Sequence, residues 1–332
     1  MSDQVDPKNQ LNDLSNRQWL IETKSFWRAR GGLPRPEDLD DELLAEFARW
    51  LQEAHGEERA NELLGQPIAS VLFSITPPRD KLKATHPATF SEADIERLIR
   101  FFTKPRQRVL DPFVGTGSTL IACHRTDREG VGVELIDRWK EVAAKRLEAA
   151  IRAHSPAVPP DGNDDVAPTS AQTILAGDAR AVLSDFEAES FDFIVTSPPY
   201  WRILTKKGGM KTEIERKSKG LPTQYSDEPA DLGNVESYEE FLGELGKVFG
   251  ECRRVLREGK YMCVIVSDFR HGPRFYLYHA DIARTVEQAG LPLKGVTVLV
   301  QDNKNLYPLG IPHAFVSNIH HQYVLIFQNS GQ

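Results

Sequence analysis

The stretch VLDPFVGTGSTLIAC at residues 109–123 decides the fold of this chain. A short apolar run leads into a turn that contains Gly115 and Gly117, and an apolar helix pattern begins directly after the turn. Glycines let the backbone approach a ligand closely, and the first turn of a helix presents free N–H groups. The spacing is Gly-x-Gly-Ser-Thr, which argues against the standard Gly-x-Gly-x-x-Gly dinucleotide fingerprint. The pattern predicts a strand, a ligand-facing glycine turn and a helix.

Two further predicted strands also end beside acidic residues. Residues 130–134 end in Glu134, and residues 173–176 are followed two positions later by Asp178. Ligands of open α/β sheets bind at the carboxyl ends of the strands, where an acid commonly holds ribose hydroxyls. Together with Asp111, these acids are expected to line one edge of the sheet.

A second motif, TSPPY at residues 196–200, follows the apolar run FDFIV. Each proline fixes its own φ, and Pro199 pushes Pro198 out of the helical region, so the carbonyls point in set directions. Such carbonyls can accept the hydrogens of an exocyclic amine while an aromatic ring stacks on the heterocycle. An isolated Pro-Pro more often marks only a turn, and the glycine turn upstream is what favours a site. The expected catalytic residues are Ser197, Pro198, Pro199 and Tyr200.

These motifs resemble those of the amino-group DNA methyltransferases, which use S-adenosylmethionine to methylate cytosine N4 or adenine N6. DPFVGTGS at 111–118 is similar to the cofactor motif of that family, and TSPPY is similar to its catalytic motif. HPATF at 86–90 resembles the segment that precedes the cofactor motif, while 251–259 and 321–327 resemble the elements that follow catalysis. The resemblance covers about residues 75–328. The cofactor-binding residues that it implies are His86, Pro87, Asp111, Phe113, Gly115, Gly117, Ser118, Glu134 and Asp178.

The strand ends suggest a role for each acid toward this cofactor. Asp111 is expected to pair with the ammonium group, Glu134 to hold the ribose hydroxyls, and Asp178 to accept from the adenine amine. Gly115 and Gly117 are expected to allow close approach near the methionine part.

Within the family, members with serine at the position of Ser197 more often modify cytosine, and those with aspartate or asparagine more often modify adenine. The resemblance therefore implies N4 methylation of a cytosine that is flipped out of duplex DNA. N6 methylation of adenine is the alternative, and an RNA or small-molecule amine methyltransferase on the same sheet stays open. The intact motifs argue against a catalytically silent DNA-binding module, and the missing third glycine argues against a nicotinamide enzyme.

Composition places the chain among globular proteins. It has 332 residues, of which 40% are hydrophobic and 27% are charged. Neither a membrane span nor a signal pattern is visible, and the three scattered cysteines suggest neither a metal site nor a disulfide framework. A cytoplasmic enzyme without a bound metal is expected, as a monomer or homodimer with a restriction endonuclease as a potential partner. Because the net charge is −7, any affinity for DNA has to come from local basic patches.

One such patch follows the catalytic motif directly. Residues 201–220 contain seven lysines and arginines against two glutamates. A charge run is usually a solvated face, but the position beside Tyr200 favours DNA contact by this basic loop, which we place at 201–236. The residues expected to contact DNA are Arg202, Lys206, Lys207 and Lys211.

Periodicity divides the chain into two parts. Residues 1–75 are predicted to form a helical N-terminal extension, and residues 76–332 a catalytic domain with a mobile proline-rich loop at 154–172. Strands alternate with helices from residue 92 onward, which is typical of a mostly parallel sheet with helices on both faces. The last strand is expected to run antiparallel. The predicted fold is a doubly wound, mostly parallel seven-stranded α/β sheet of the Rossmann-like, class I methyltransferase type.

Overall fold

A computed structural model of the chain describes residues 9, 11–13, 26–28, 91–154, 170–202, 228, 230–300, 316–319 and 321–331. The strands in these ranges are β1 (Phe26–Arg28), β2 (Arg108–Asp111), β3 (Glu129–Glu134), β4 (Gln172–Ala176), β5 (Phe191–Thr196), β6 (Leu256–Val266), β7 (Phe269–His271), β8 (Arg274–Tyr276), β9 (Leu293–Val300) and β10 (His321–Gln328). The helices are α1 (Glu92–Phe102), α2 (Ser118–Arg125), α3 (Asp137–His154), α4 (Ala179–Val182), α5 (Tyr238–Val255) and α6 (Tyr278–Gln288).

The sheet confirms the predicted doubly wound architecture. Its strand order is β1-β9-β10-β6-β5-β2-β3-β4, in which β4, β3, β2, β5 and β6 pair in parallel. Strand β10 runs antiparallel to both β6 and β9, as expected for the last strand. Of these eight strands, the seven that follow β1 in the strand order match the seven that the sequence predicted. Strand β1 adds an eighth strand at the edge of the sheet.

The N-terminal extension departs from the prediction at β1. Residues 26–28 form a strand that pairs in parallel with β9, at Val298 to Val300, where the sequence predicted a helix. The physical reason is the open edge of β9, whose unpaired N–H and C=O groups offer an extended segment a ready template. The predicted domain boundary at residue 75 lies outside the described residues, as does most of the predicted loop 154–172.

Alternation along the central strands divides the core between two layers. Val109 and Phe193 pack with apolar residues of α1 on one face, where the rings of Phe102 and Phe193 stack at 5.1 Å. Leu110 and Ile194 pack on the other face with residues of α5. Strands covered on both faces read as continuous apolar runs. Polar ligands therefore have access only at the ends of these strands.

A small antiparallel hairpin stands outside the main sheet. Strands β7 and β8 pair with each other over Phe269–His271 and Arg274–Tyr276, directly after β6 leaves the sheet. The sequence did not predict it, because each strand has three residues, too few for a visible periodicity. Among the described residues, none of the helices has the length and apolar character needed to cross a lipid bilayer.

Candidate active site

A cleft opens at the carboxyl ends of the parallel strands. It brings together the glycine turn after β2, the ends of β3 and β4, and the proline turn after β5. The residues that line it are Pro112, Phe113, Val114, Gly115, Thr116, Ser118, Val133, Glu134, Leu135, Ile136, Trp139, Gly177, Asp178, Ala179, Ser197, Pro198, Pro199, Tyr200, Ala230, Asp231 and Leu232. Both sequence motifs therefore face one cavity.

Asp111 supports this cleft from behind and is not one of its lining residues. Its carboxylate is fully buried and accepts hydrogen bonds from Thr119 Oγ1 at 2.6 Å, Thr196 Oγ1 at 2.7 Å and the Phe113 N–H at 3.0 Å. Burial raises the pKa of Asp111 to about 6, against the lowering effect of these three bonds. Asp111 is therefore seen to support the turn from behind, and its expected pairing with a cofactor ammonium stays a prediction.

The glycine turn needs glycine for two different reasons. Gly115 lines the cleft with φ 53°, in the left-handed region that favours glycine. Gly117 has φ 79° and does not line the cleft, because it faces α3, where an added Cβ would lie 3.0 Å from the Cβ of Ala143. Gly117 is thus needed for close packing, and its expected role in cofactor binding stays a prediction. Phe113 and Ser118 do line the cleft, and the Ser118 hydroxyl donates to Glu92 at 2.8 Å.

Glu134 reaches the cleft from the end of β3. Its two carboxylate oxygens accept from the N–H groups of Ile136 and Gly115, each at 2.9 Å. Burial raises the pKa of Glu134 to about 7, and the nearby charges of Asp111 and Asp231 add to the increase. The carboxylate thus joins the two ligand-binding turns and changes its charge near neutral pH.

Asp178 caps the short helix α4 and is held by Arg180. Its Oδ1 accepts from the Arg180 N–H at 2.9 Å, and both of its oxygens accept from the guanidinium. Partial burial raises the pKa of Asp178, but the hydrogen bonds and charge of Arg180 bring the net shift below the ordinary value. Arg180 also donates to Glu244 of α5 and to the Ala230 carbonyl. Asp178 lines the cleft as an ionised group in a fixed position.

The proline turn is anchored by two side-chain contacts to elements beyond β5. The Tyr278 hydroxyl donates to the Pro199 carbonyl at 2.7 Å, and the Tyr200 hydroxyl accepts from the Ser267 N–H at 2.9 Å. Burial raises the pKa of Tyr200 to about 12. Ser197 and Pro198 have no hydrogen-bond partner within the part of the chain that the structure describes. Both residues line the cleft, on a turn that the contacts of Tyr278 and Tyr200 hold in place.

Sequence reasoning missed several residues of the cleft wall. Ile136 and Trp139 form an apolar wall after Glu134. Their position directly after a strand-end acid was a sequence signal that could have predicted this wall. Asp231 and Leu232 enter from the segment before α5, where Asp231 Oδ1 accepts from the Gly233 N–H at 2.9 Å. No local pattern distinguished this buried acid from its polar neighbours.

Beyond Tyr200, a second group of polar side chains lies at the ends of β6 and β10. Asp268 Oδ1 lies 2.7 Å from His279 Nδ1, and the His279 ring stacks on Tyr323 with centroids 3.9 Å apart. The cysteines contribute nothing to either group, since Cys123, Cys252 and Cys263 are buried and burial raises the pKa of each thiol. A thiolate nucleophile for methylation at ring carbon 5 is therefore excluded among them.

Some of the predicted site residues cannot be placed in the cleft. His86, Pro87, Lys206, Lys207 and Lys211 lie outside the described residues. Arg202, in contrast, lies within the described residues. Its backbone has φ 42°, and its N–H donates to the Gly233 carbonyl at 3.2 Å. This bond ties the start of the basic loop to the Asp231 segment.

The chain belongs to the family of DNA methylases of the N6/N4 type. The model of this family matches residues 4–145 and 191–330, which include both motifs. The predicted family and fold are thereby confirmed, and S-adenosylmethionine as the cofactor agrees with this membership. Whether the substrate is cytosine or adenine is not distinguished by the family.

Parts of the chain are also similar to individual proteins. The type II methyltransferase M.ScaI of Streptomyces caespitosus is 32% identical over 130 residues, which are 38% of this chain and 43% of that protein. The type II methyltransferase M2.DpnII of Streptococcus pneumoniae is 37% identical over 76 residues, 23% of this chain and 28% of that protein. The chain thus spans less than half the length of these curated relatives.

Among solved structures, TTHA0409 of Thermus thermophilus, in complex with S-adenosyl-L-methionine, is 26% identical with a TM-score of 0.33 and covers 47% of this chain and 54% of that one. Precorrin-6y C5,15-methyltransferase of Geobacter metallireducens is 11% identical with a TM-score of 0.42 and covers 76% of this chain and 97% of that one.

Proposed function

We propose that this protein transfers a methyl group from S-adenosylmethionine to the exocyclic N4 amine of a cytosine that is flipped out of duplex DNA. The observation that carries the proposal is the shared cleft. Glu134 and Asp178 line it together with the turn from Ser197 to Tyr200. A donor and an amine acceptor can therefore meet in a single cavity.

The residues present suit this cofactor. The ribose hydroxyls would donate to Glu134, and the adenine amine would donate to Asp178, whose carboxylate Arg180 keeps ionised. The wall of Ile136 and Trp139 offers an apolar face to the adenine ring. When bound, the cofactor supplies a methyl carbon whose bond to sulfur breaks, with both electrons staying on sulfur, as the bond to nitrogen forms.

The proline turn prepares the amine for this reaction. The lone pair of an exocyclic amine is delocalised into the ring, so the amine is a poor nucleophile. The Ser197 hydroxyl and the Pro198 carbonyl would accept its two hydrogens and favour a tetrahedral nitrogen with a localised lone pair. Fixed acceptors act without reorganisation, so positioning and electrostatics supply most of the acceleration. The methylated nitrogen then loses one of the two hydrogens to solvent as a proton.

Tyr200 would stack on the flipped base. Its hydroxyl is held by Ser267 and by the side chain of Gln322, so the ring has a fixed orientation at the cleft. Flipping costs a few kcal/mol of stacking and pairing energy. Contacts of the base with this ring and with the acceptors of the turn offset that cost.

The choice of cytosine rests on Ser197. A hydroxyl accepts a hydrogen bond less strongly than a carboxylate, and serine at this position is associated with N4 methylation in the family. N6 methylation of adenine is the alternative for the same site and mechanism. A partner restriction endonuclease and the oligomeric state stay predictions.

Incubation with tritiated S-adenosylmethionine and unmethylated bacterial duplex DNA, followed by nucleoside mass spectrometry, tests the proposal. We expect N4-methylcytosine from the wild type and a strong loss of label from Ser197→Ala. N6-methyladenine would retain the enzyme and overturn the base assignment. Label in a parallel RNA sample but not in DNA would overturn the DNA assignment. Cofactor binding by each variant, measured calorimetrically, separates a lost catalytic group from a collapsed site.

A further inference from the structure

The hairpin of β7 and β8 lies on the catalytic side of the sheet and has no part in the mechanism above. Its cross-strand pairs are Phe269 with Tyr276, Arg270 with Phe275, and His271 with Arg274. Cross-strand partners share a face and neighbouring pairs alternate between faces. The Arg270–Phe275 pair therefore lies on the opposite face from the Phe269–Tyr276 pair.

The inner face is packed against the catalytic turn. Phe269 contacts the Tyr200 ring edge to face at 5.9 Å, and Tyr276 lies 5.7 Å from the ring of Trp201. Phe269 and Tyr276 are buried, and their rings stack at 5.1 Å. The hairpin is thus held rigidly next to the ring that we propose stacks on the target base.

The outer surface combines exposed apolar and cationic groups. Phe275 is 40% exposed and Leu277 is 55% exposed, the two highest values among the large apolar side chains that the structure describes. The Arg270 guanidinium lies 4.9 Å from the centre of the Phe275 ring and donates to Ser317. Arg274 is exposed. Residues 269–280 contain no Asp or Glu, although the whole chain carries a charge of −7.

This combination of exposed apolar side chains and arginines is better suited to contact with nucleic acid than to contact with a protein or with solvent. An arginine next to an exposed aromatic ring makes a stacking platform for a base, and an exposed arginine at the preceding position of the strand suits a phosphate. Side chains of this kind fill or kink a duplex next to an extruded nucleotide.

We infer that the hairpin at residues 269–276 is a DNA-contacting element, in which Phe275 stacks on a base next to the flipped nucleotide and Arg274 neutralises a phosphate. The inference rests on the proposed function, because it takes duplex DNA as the substrate. It adds a contact surface next to Tyr200, which Phe269 of the hairpin contacts.

The test compares Phe275→Ala and Arg274→Gln with Ile151→Ala and Arg152→Gln, which change an exposed apolar group and an exposed arginine on α3. Phe275→Ala should raise the KM for unmethylated genomic DNA roughly 10- to 100-fold, in line with the loss of one stacked base. Arg274→Gln should reduce the slope of log affinity against log salt by about 1. Phe275→Trp should restore most of the loss, and cofactor affinity should stay unchanged in all of these variants.

Several outcomes overturn the inference. Both hairpin variants could behave like the α3 controls toward DNA, or they could change only the oligomeric state measured by light scattering, which would assign the surface to a second copy of this chain. The proposed function fails separately. A wild type that binds DNA without methylating it contradicts the proposed reaction, while the salt slope of Arg274→Gln still tests the hairpin. A wild type that binds no DNA overturns both.

Discussion

Thr196 donates a hydrogen bond of 2.7 Å to Asp111, which joins the residue before the proline turn to the residue before the glycine turn. The second carboxylate oxygen of Asp111 accepts from Thr119 at the start of α2. One buried carboxylate therefore sets the position of the cofactor turn relative to the catalytic turn. We regard Asp111 as a positioning residue, since it does not reach the cleft.

Asp111→Asn should make the stability of the protein less dependent on pH. The pKa of Asp111 is raised to about 6 by burial, so the folded state holds a proton that the unfolded state releases above about 4. That contribution to stability is present at low pH and is lost as the pH rises through 6. Relative to the wild type, the variant should therefore gain up to roughly 3 kcal/mol in free energy of unfolding between pH 4 and pH 8.

Urea unfolding at several pH values measures this difference. The exposed Asp185→Asn serves as the control, and its difference from the wild type should not follow the same pH profile. A difference between Asp111→Asn and the wild type that stays constant from pH 4 to pH 8 would contradict the raised pKa.

Cofactor affinity should increase with pH through about 7. The pKa of Glu134 is raised to about 7 by burial, and ribose hydroxyls donate more strongly to the ionised carboxylate than to the acid. Glu134→Gln should bind the cofactor roughly 10- to 100-fold less tightly at pH 8, as loss of a charge-assisted hydrogen bond implies. The remaining affinity should be nearly independent of pH. Isothermal titration calorimetry is the measurement, with Glu129→Gln on the same strand as control, and equal affinity of wild type and Glu134→Gln at pH 8 would disprove the ribose assignment.

Tyr200→Phe should separate the ring from its hydroxyl. The variant keeps the aromatic face but leaves the part-buried N–H of Ser267 without its acceptor, which costs about 1 kcal/mol of stability. Methyl transfer at a temperature where the variant is folded should fall far less than in Tyr200→Ala. Thermal unfolding and kcat check both parts, and Tyr261→Phe is the matched control. Equal losses of kcat in the phenylalanine and alanine variants would show that the hydroxyl, not the ring, serves the reaction.

Gly132→Ala should damage the cofactor turn by packing alone. An added Cβ would lie 2.6 Å from Val114 Cγ2, so the turn that carries Gly115 has to move. We expect a loss of about 1–3 kcal/mol in stability together with weaker cofactor binding. Gly250→Ala is the opposite case, because its added Cβ would meet nothing within 4 Å on α5 and alanine favours the helix by about 0.5–1 kcal/mol. The two unfolding midpoints should move in opposite directions, and parallel shifts would refute the packing argument.

The sequence predicted the central strands well. Strands β2 and β5 begin and end where the apolar runs predicted, because both faces are buried and Asp-Pro or Ser-Pro-Pro ends each run abruptly. The cleft was predicted for the same reason, since strand ends with turn residues and acids indicate the binding edge of such a sheet.

Several features of the structure were not predicted, and most of them depend on distant parts of the chain. The role of Asp111 depends on Thr196, 85 positions away, and no local pattern reveals such a bond. The strand at 26–28 depends on the open edge of β9, and tertiary pairing overrides a weak helical periodicity. The Arg180 clamp on Asp178 was within reach of sequence reasoning, because an Asp before a helix with Arg two residues later often pairs locally.

Strand β10 runs against its neighbours, so its first residues, and not its last, lie at the catalytic edge. Gln322 and Tyr323 consequently come to the side of Tyr200 from a chain direction opposite to that of every cofactor-binding strand. The surroundings of the cleft thus come from strands of both directions: the parallel strands carry Glu134 and Asp178, and the antiparallel strand supports the hydroxyl of Tyr200 through Gln322.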